Sequence, residues 1–252
     1  MEEGAAAALA AYREARLYLG RAQGGAVGTG PAMAWCYTGS EAMSCAFPLT
    51  SDGGAVEEES RQLLHHLIFA SAEAEWLFAD GAGFDAPLAR LLALPSFRSG
   101  SALELLAADL VKLPQAPPEP PGLLLQDVDY CDAVKRWLRL VPPSHRGLFT
   151  KLGFSQDLPS RRYVAVLQGV PVAASLVHLR GGTATLQWLK APADAQGRGV
   201  TLALLHLMLR EARRHECRTL VAAVEEPLAG LFQRLGLERQ GRLARLLWAP
   251  GS

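Results

Sequence analysis

The run Gln196-Gly-Arg-Gly199 has the residue types and spacing to hold an anion. Gly197 and Gly199 remove the Cβ atoms that would keep a ligand off the backbone. The run stands between an expected strand and a long apolar-periodic segment that starts at Val200. The first turn of a helix leaves N–H groups without intrahelical partners, and its dipole is positive at that end. A phosphate or pyrophosphate satisfies both, and Arg198 can add a charge-assisted hydrogen bond. No Gly-Lys-Ser or Gly-Lys-Thr follows, so this is not a Walker loop. The glycine spacing and the hairpin strands before it do not suit a dinucleotide-binding fingerprint either. The competing reading is a plain strand-to-helix turn.

Other polar residues carry weaker signals. Gln187 sits on the strand before the loop and can contact a substrate or a water relay, although such a residue is more often a solvated strand position. Glu225 and Glu226 can bind an amine or act as a base through water, or they simply favour a helix start. Ser175 and His178 lie three apart on one strand, hence on opposite faces, and no Ser-His-Asp arrangement is legible. His206, on an apolar helix, reads as an interface histidine. Arg239, Arg242 and Arg245 alternate with Leu243 and Leu246, as on a half-exposed strand. The four cysteines, Cys36, Cys45, Cys131 and Cys217, are scattered with no close pair and fit reduced, mostly buried thiols. His65 and His66 are adjacent and point to different sides of a helix, so no metal site is expected.

The elements that must position these groups follow from pattern. The second half reads as a strand at 123–128, a helix at 129–140, a short helix after Pro143, and strands at 163–167, 172–179 and 183–190. The last two are joined by the hairpin turn Arg180-Gly-Gly182. A helix follows at 200–215, with Arg210, Arg213 and Arg214 in its last turns, where cations suit the dipole. Then come a strand at 219–224, a helix at 227–235 closed by Gly236, and a strand at 242–248. The first half reads as a helix at 6–19, two strands between Met33 and Leu49 with a turn at Gly39, a loop with Asp52-Gly-Gly54, a helix at 57–70, a strand at 74–78, a helix at 86–94 and a strand at 103–111. The order loop, long helix, strand, short helix, strand occurs in both halves and suggests an internal repeat. Pro114 to Pro121 holds five prolines in eight residues and forms a semi-rigid connector. The chain therefore divides into 1–113, a linker at 114–121, and 122–252.

Half of the 252 residues are hydrophobic, enough for a sizeable core, and the 25 basic residues equal the 25 acidic ones. Net charge therefore gives no reason to expect nucleic acid or a membrane surface as a partner. The acidic start, Glu2-Glu3, does not suit a secretory signal, and no apolar stretch approaches the ~20 residues of a bilayer span. The expected location is the cytoplasm.

Residues 183–237 resemble the core of a GCN5-related N-acetyltransferase (GNAT). The family's cofactor motif is Gln or Arg, two residues, Gly, one residue, then Gly or Ala. Gln196, Gly199 and Thr201 fall on it, with Thr201 a departure at the last position. Leu231-Phe-Gln-Arg-Leu-Gly-Leu237 resembles the family's Leu-Tyr-x-x-Leu-Gly-Phe segment. The first half resembles a degenerate, cofactor-less copy, as in tandem members. The resemblance implies an α+β (α/β) fold in two tandem GNAT-like halves, with a mixed, mostly antiparallel, splayed sheet flanked by helices.

It also implies acetyl-CoA or another acyl-CoA as co-substrate, with no metal, and an acyl transfer to a small-molecule or peptide amine. Backbone groups of Leu189 and Ala191 would pair with the pantetheine arm. The amides of Gly197, Arg198, Gly199, Val200 and Thr201 would hold the pyrophosphate, and the thioester would lie near Phe232. The family's usual Tyr and Asn are here Phe232 and, by spacing, Glu225, which leaves the general acid unassigned. Gln187 and Glu225 remain the catalytic candidates. A non-catalytic acyl-CoA sensor or interaction module is the alternative. Delivery of the acyl group by a carrier protein or charged tRNA is a weaker one. A homodimer stays open. The first half would wall the acceptor site, with Trp35, Tyr37, Trp76 and Phe84 either lining it or packed in a core.

Overall fold

The computed structural model describes residues 3–22, 24–39, 43–80, 83–113, 119–129, 131–151, 159–191 and 199–250. Helix α1 (Glu3–Ala22) buries Ala5, Ala8, Tyr12, Ala15 and Leu19, a spacing of three and four that sets one apolar stripe against the sheet. Strands β1 (Ala26–Thr29), β2 (Met33–Tyr37) and β3 (Ser44–Pro48) form an antiparallel meander. After it come α2 (Gly53–Ala70), β4 (Ala74–Ala79), α3 (Asp85–Leu92), β5 (Phe97–Ser99) and β6 (Leu103–Asp109). Beyond the proline-rich connector lie β7 (Leu123–Asp127), α4 (Cys131–Leu140), α5 (Pro143–Lys151), β8 (Ser160–Leu167), β9 (Val170–Arg180) and β10 (Thr183–Lys190). The chain ends with α6 (Val200–Arg214), β11 (Thr219–Glu225), α7 (Glu226–Arg234) and β12 (Glu238–Trp248). No described helix is long and apolar enough to cross a membrane.

Several boundaries differ from the sequence expectation for identifiable reasons. Helix α2 starts four residues before Glu57, because Asp52 caps it and carries Gly53 and Gly54 into the first turn. Strand β12 starts at Glu238, running through a register shift between Arg239 and Gly241 that breaks the apolar alternation from which strands are read. The short strands β1 and β5 carry too few apolar residues to show a period.

All twelve described strands join one sheet, in the order β1-β2-β3-β4-β12-β6-β11-β10-β9-β8-β7, with β5 beside β12. The sheet is mixed and mostly antiparallel. Its only parallel neighbours among the described residues are β3 with β4 and β10 with β11, the pairs joined by α2 and α6. The repeat expected from element order is thus present as geometry. The last strands, however, are exchanged. β6, from the first half, lies against β11 of the second, while β12, the last strand of the chain, lies against β4 of the first. β6 and β12 pair with each other at the centre. The proline-rich connector separates the halves in sequence, and the sheet joins them.

Alternating side chains divide the core into two layers. Trp76 and Phe78 pack with Val56, Leu63 and Leu67 of α2. Leu77 and Ala79 pack on the opposite face with Ala8 and Tyr12 of α1. In the second half Ala165 and Ala173 face Leu204 and Met208 of α6, while Val164 and Ala174 face Trp137 of α4 and Phe149 of α5. Leu19 of α1 belongs to that last cluster, so α1 crosses the seam and packs on both halves.

Candidate functional site

The parallel pairing of β10 with β11 runs from Thr183–Thr219 to Leu186–Ala222 and ends there. β10 continues to Lys190 alongside β9, and β11 continues to Glu225 alongside β6. Past that point the two strands part, as the splayed sheet predicts. Gln187 stands at the parting, in the register shift between Leu186 and Trp188. Its side chain is buried, at 6 % exposure for the residue, and neither amide atom has a hydrogen-bond partner among the described residues. It is not the solvated strand position that statistics favour. Leu189 pairs with Ser175 of β9, and both Leu189 and Ala191 pack against the α6 core.

Gln196, Gly197 and Arg198 lie outside the described residues. Gly199 is the first described residue of the anion-binding run. It caps α6 with φ 73°, makes no side-chain cap bond, and accepts the Ala203 N–H at 3.0 Å. A Cβ there would meet Pro120 at an ordinary 3.7 Å, so its left-handed dihedral, rather than lack of space, asks for glycine. Val200 and Thr201 are buried, and the Thr201 hydroxyl oxygen has no partner among the described residues.

Phe232, on α7, is fully buried in the core with Leu204 and Leu235. It is a wall of the hydrophobic core and carries no acidic proton. Glu225 ends β11 and caps α7 with an extended backbone but makes no side-chain cap bond. Its Oε1 instead accepts from Arg245 of β12 at 2.7 Å. Arg245 also lies 3.8 Å from Glu75 of β4, and Glu75 accepts from Arg16 of α1 at 2.6 Å. Four charges from four elements therefore make a continuous chain across the seam. The last strand's arginines are not plain solvated surface, because Arg239 and Arg242 also reach Glu104, at 2.6 and 3.8 Å.

A cavity of about 540 Å³ opens beside this network. Arg16, Glu75, Arg98, His145, Gln187 and Arg245 all line it. Burial, and to a lesser degree Arg16, pushes His145 below the usual imidazole range, which favours the neutral ring. Arg16, Glu75, Arg98 and His145 were not legible as site residues. They lie far apart in sequence, and the strand exchange that joins them has no local signal. A larger cavity, of about 810 Å³, lies near the other end of α1, among Gly4, Ala7, Asp109, Lys112 and Gly236. Thr183, Thr219 and Val221 of the paired stretch of β10 and β11 also line it, whereas Gln187 does not.

The remaining candidates are structural. Trp35, Tyr37, Trp76 and Phe84 belong to the α2-side core, and the Trp76 indole donates to Ser60 at 3.0 Å. The side chains of Ser175 and His178 are both buried without hydrogen-bond partners among the described residues, and the His178 ring lies 4.5 Å from that of Tyr18. Burial and then Arg213 push His206 down. The four cysteines are free, and Cys36, Cys45 and Cys217 are buried, as the sequence reading expects. Cys36 and Cys45 face each other on β2 and β3 with sulfurs 3.6 Å apart. A hydrogen bond from Cys45 pulls the Cys36 thiol down, and burial pushes Cys45 up.

No known family profile matches the chain, and no curated protein matches it in sequence. Solved structures match its fold. A GCN5-related N-acetyltransferase from Kribbella flavida aligns with a TM-score of 0.69 over 96 % of each chain, at 15 % identity. One from Sphaerobacter thermophilus aligns at 0.59, over 88 % of this chain and 78 % of that one, with 19 % identity. A tandem GNAT protein from the clavulanic acid biosynthesis pathway aligns at 0.53, over 88 % and 80 %, with 17 % identity. With two parted parallel pairs in one sheet, the chain has the fold of the GCN5-related N-acetyltransferases in its tandem form.

Proposed function

We propose that the protein is an N-acyltransferase that moves an acetyl or similar acyl group from coenzyme A to an amine at the β10–β11 parting. The observation that carries this reading is the pairing that ends at Leu186–Ala222, with the unpartnered Gln187 amide at its head. The residues present fit an elongated, polar-armed, anionic donor. A strand edge freed by parting suits an extended arm, and the start of α6 offers a helix terminus without a side-chain cap at Gly199.

Acetyl-CoA supplies an acyl thioester there. In the net reaction an N–C bond forms, the C–S bond breaks, the nitrogen loses one proton, and the departing thiolate takes one up to leave as a thiol. The chain's own residues must hold the amine neutral and donate to the developing oxyanion. The Gln187 amide can donate through its nitrogen and accept through its oxygen. Neutral His145, at the cavity wall, can accept a proton. Glu225 is tied to Arg245 and is not a free base.

A second reading, a binding module without turnover, is favoured by Phe232, which has no hydroxyl to protonate sulfur. The two separate on titration with acetyl-CoA followed by thiol release across an amine panel. Binding with release supports the transferase, binding without release supports the module, and no binding at millimolar donor ends both.

A further inference from the structure

We propose that the 540 Å³ cavity at the seam is the acceptor pocket and that it selects a small amine carrying a carboxylate, such as a free amino acid. This deepens the acyltransferase reading and rests on it. Its volume is in the range of small-molecule sites and too small for a folded partner.

The charges of its walls argue for the class. Arg16, Glu75, Arg245 and Glu225 form the continuous chain of ion pairs described above, two cations with two anions. That network neutralises itself and needs no charge from a ligand. Two further charges line the cavity and have no ion pair among the described residues: Arg98 on β5 and Glu73 just before β4. One unpaired charge of each sign suits a ligand with an ammonium and a carboxylate. A polyamine would meet the surplus of three lining arginines over two glutamates, and a polyanion would meet Glu73 and Glu75.

Gln187 is the second, independent observation. It lines the cavity, is more than nine-tenths buried, and leaves both amide atoms without partners. A buried amide is costly unless something bonds to it. An amine held against its oxygen would stand where β10 leaves β11, which is where the acyl group must arrive. The carboxylate would then turn outward to Arg98, whose planar guanidinium pairs carboxylates in a fork. Trp188, Leu247 and Trp248 supply the apolar walls.

The test is isothermal titration of the full chain, without acyl donor, with the common amino acids, each matched to its carboxamide and its decarboxylated amine. At least one amino acid should bind, and its carboxamide should bind about tenfold more weakly, the usual loss for one charge-assisted pair. Arg98→Gln should lower the amino acid to the level of its carboxamide with an unchanged melting temperature, and Gln187→Leu should weaken both ligands alike. In the titrations, three results overturn the proposal: no amino acid binds at millimolar concentration, the carboxamide binds equally, or the preference survives Arg98→Gln. Thiol release on the same samples separates this from the transferase reading. Carboxylate-selective binding without release keeps the pocket and ends the transferase. Equal release from amines lacking a carboxylate keeps the transferase and ends the pocket.

Discussion

The two long helices that follow the parallel-paired strands start in opposite ways. At α2 the Asp52 carboxylate accepts the N–H groups of Gly54 and Ala55, at 2.9 and 3.2 Å. Arg90 lies so close that a Cβ on Gly53 would meet its Cδ at 2.7 Å. The first half thus places its own anion at the helix terminus, and the neighbouring Arg90 pairs with Glu57 at 3.6 Å. At α6 the cap is Gly199, with no side-chain oxygen. The partings differ in the same sense. In the first half β3 leaves β4 after Ala46–Trp76, and Phe47 and Tyr12 pack edge to face in the core beside it. In the second half the unpartnered Gln187 and the seam cavity lie at the parting. One copy of the architecture is closed by its own side chains, and among the described residues no side chain caps the helix of the other.

The comparison breaks most completely if the halves can be separated. Expressed apart, 1–113 lacks β12 and 122–252 lacks β6, so β4 and β11 each lose their inner neighbour. Leu103, Leu105, Leu243 and Leu246 would become solvent-facing. We expect neither piece alone to give a cooperative melt, and the two together to restore one. Circular dichroism of the pieces and of their mixture checks this, and a cooperative melt from either alone would show that the exchange is dispensable.

The next largest effect concerns the charge chain across the seam. Arg16 is buried, at 6 % side-chain exposure, against Glu75. Glu75→Gln should cost about 3–5 kcal/mol, because an uncompensated buried charge remains. Replacing both residues, Arg16→Met with Glu75→Leu, should recover most of that. Urea denaturation of the three variants measures it. If Glu75→Gln is neutral, the network adds nothing measurable to stability.

What was legible beforehand, and what was not, divides along the same seam. Strand β10 is legible to the residue, because its alternation is bounded by Gly181-Gly182 and the small-residue run after Lys190. Gly236 is indeed left-handed, at φ 93°. Such signals live within a few residues. The exchange of β6 and β12 does not, since alternation says that a strand has a buried face and is silent on its neighbour. Arg245, and through it Glu225, reaches Glu75 only through that exchange. Cys36 and Cys45 are an intermediate case. A hairpin turning at Gly39 was expected, but its register was needed to place the two opposite each other. The closure of α2 is half legible, for Asp52-Gly-Gly54 has the composition of a loop while Asp52 caps the helix.

Acid should sharpen the picture of α1 as the strap between halves. Burial, and then Arg180, pushes the His178 imidazole beside Tyr18 from 6.5 down to about 4. Below pH 6.5 the unfolded chain takes up the proton first, so stability is complete above about 6.5, falls as pH drops toward 4, and levels off below. The loss from this group is at most about 3 kcal/mol. Melting curves from pH 7.5 to 4 should slope accordingly, and His178→Gln should flatten the slope. An unchanged slope would mean that the ring meets solvent.

The smallest expected effects come from exchanging the two helix starts. Gly199→Asp gives α6 the carboxylate that closes α2. Aspartate tolerates positive φ better than most residues, so the helix should survive, and acetyl-CoA affinity should fall about tenfold as the carboxylate competes for the same amides. Asp52→Ala removes the cap of α2. It should cost about 1 kcal/mol, a drop of about 2–4 °C in melting temperature, with acetyl-CoA affinity unchanged. Titration and melting of the two variants give four numbers, and their pattern decides the matter. If Asp52→Ala alters donor affinity, or Gly199→Asp does not, the open terminus is not the one at α6, and the assignment of open and closed halves must be reversed.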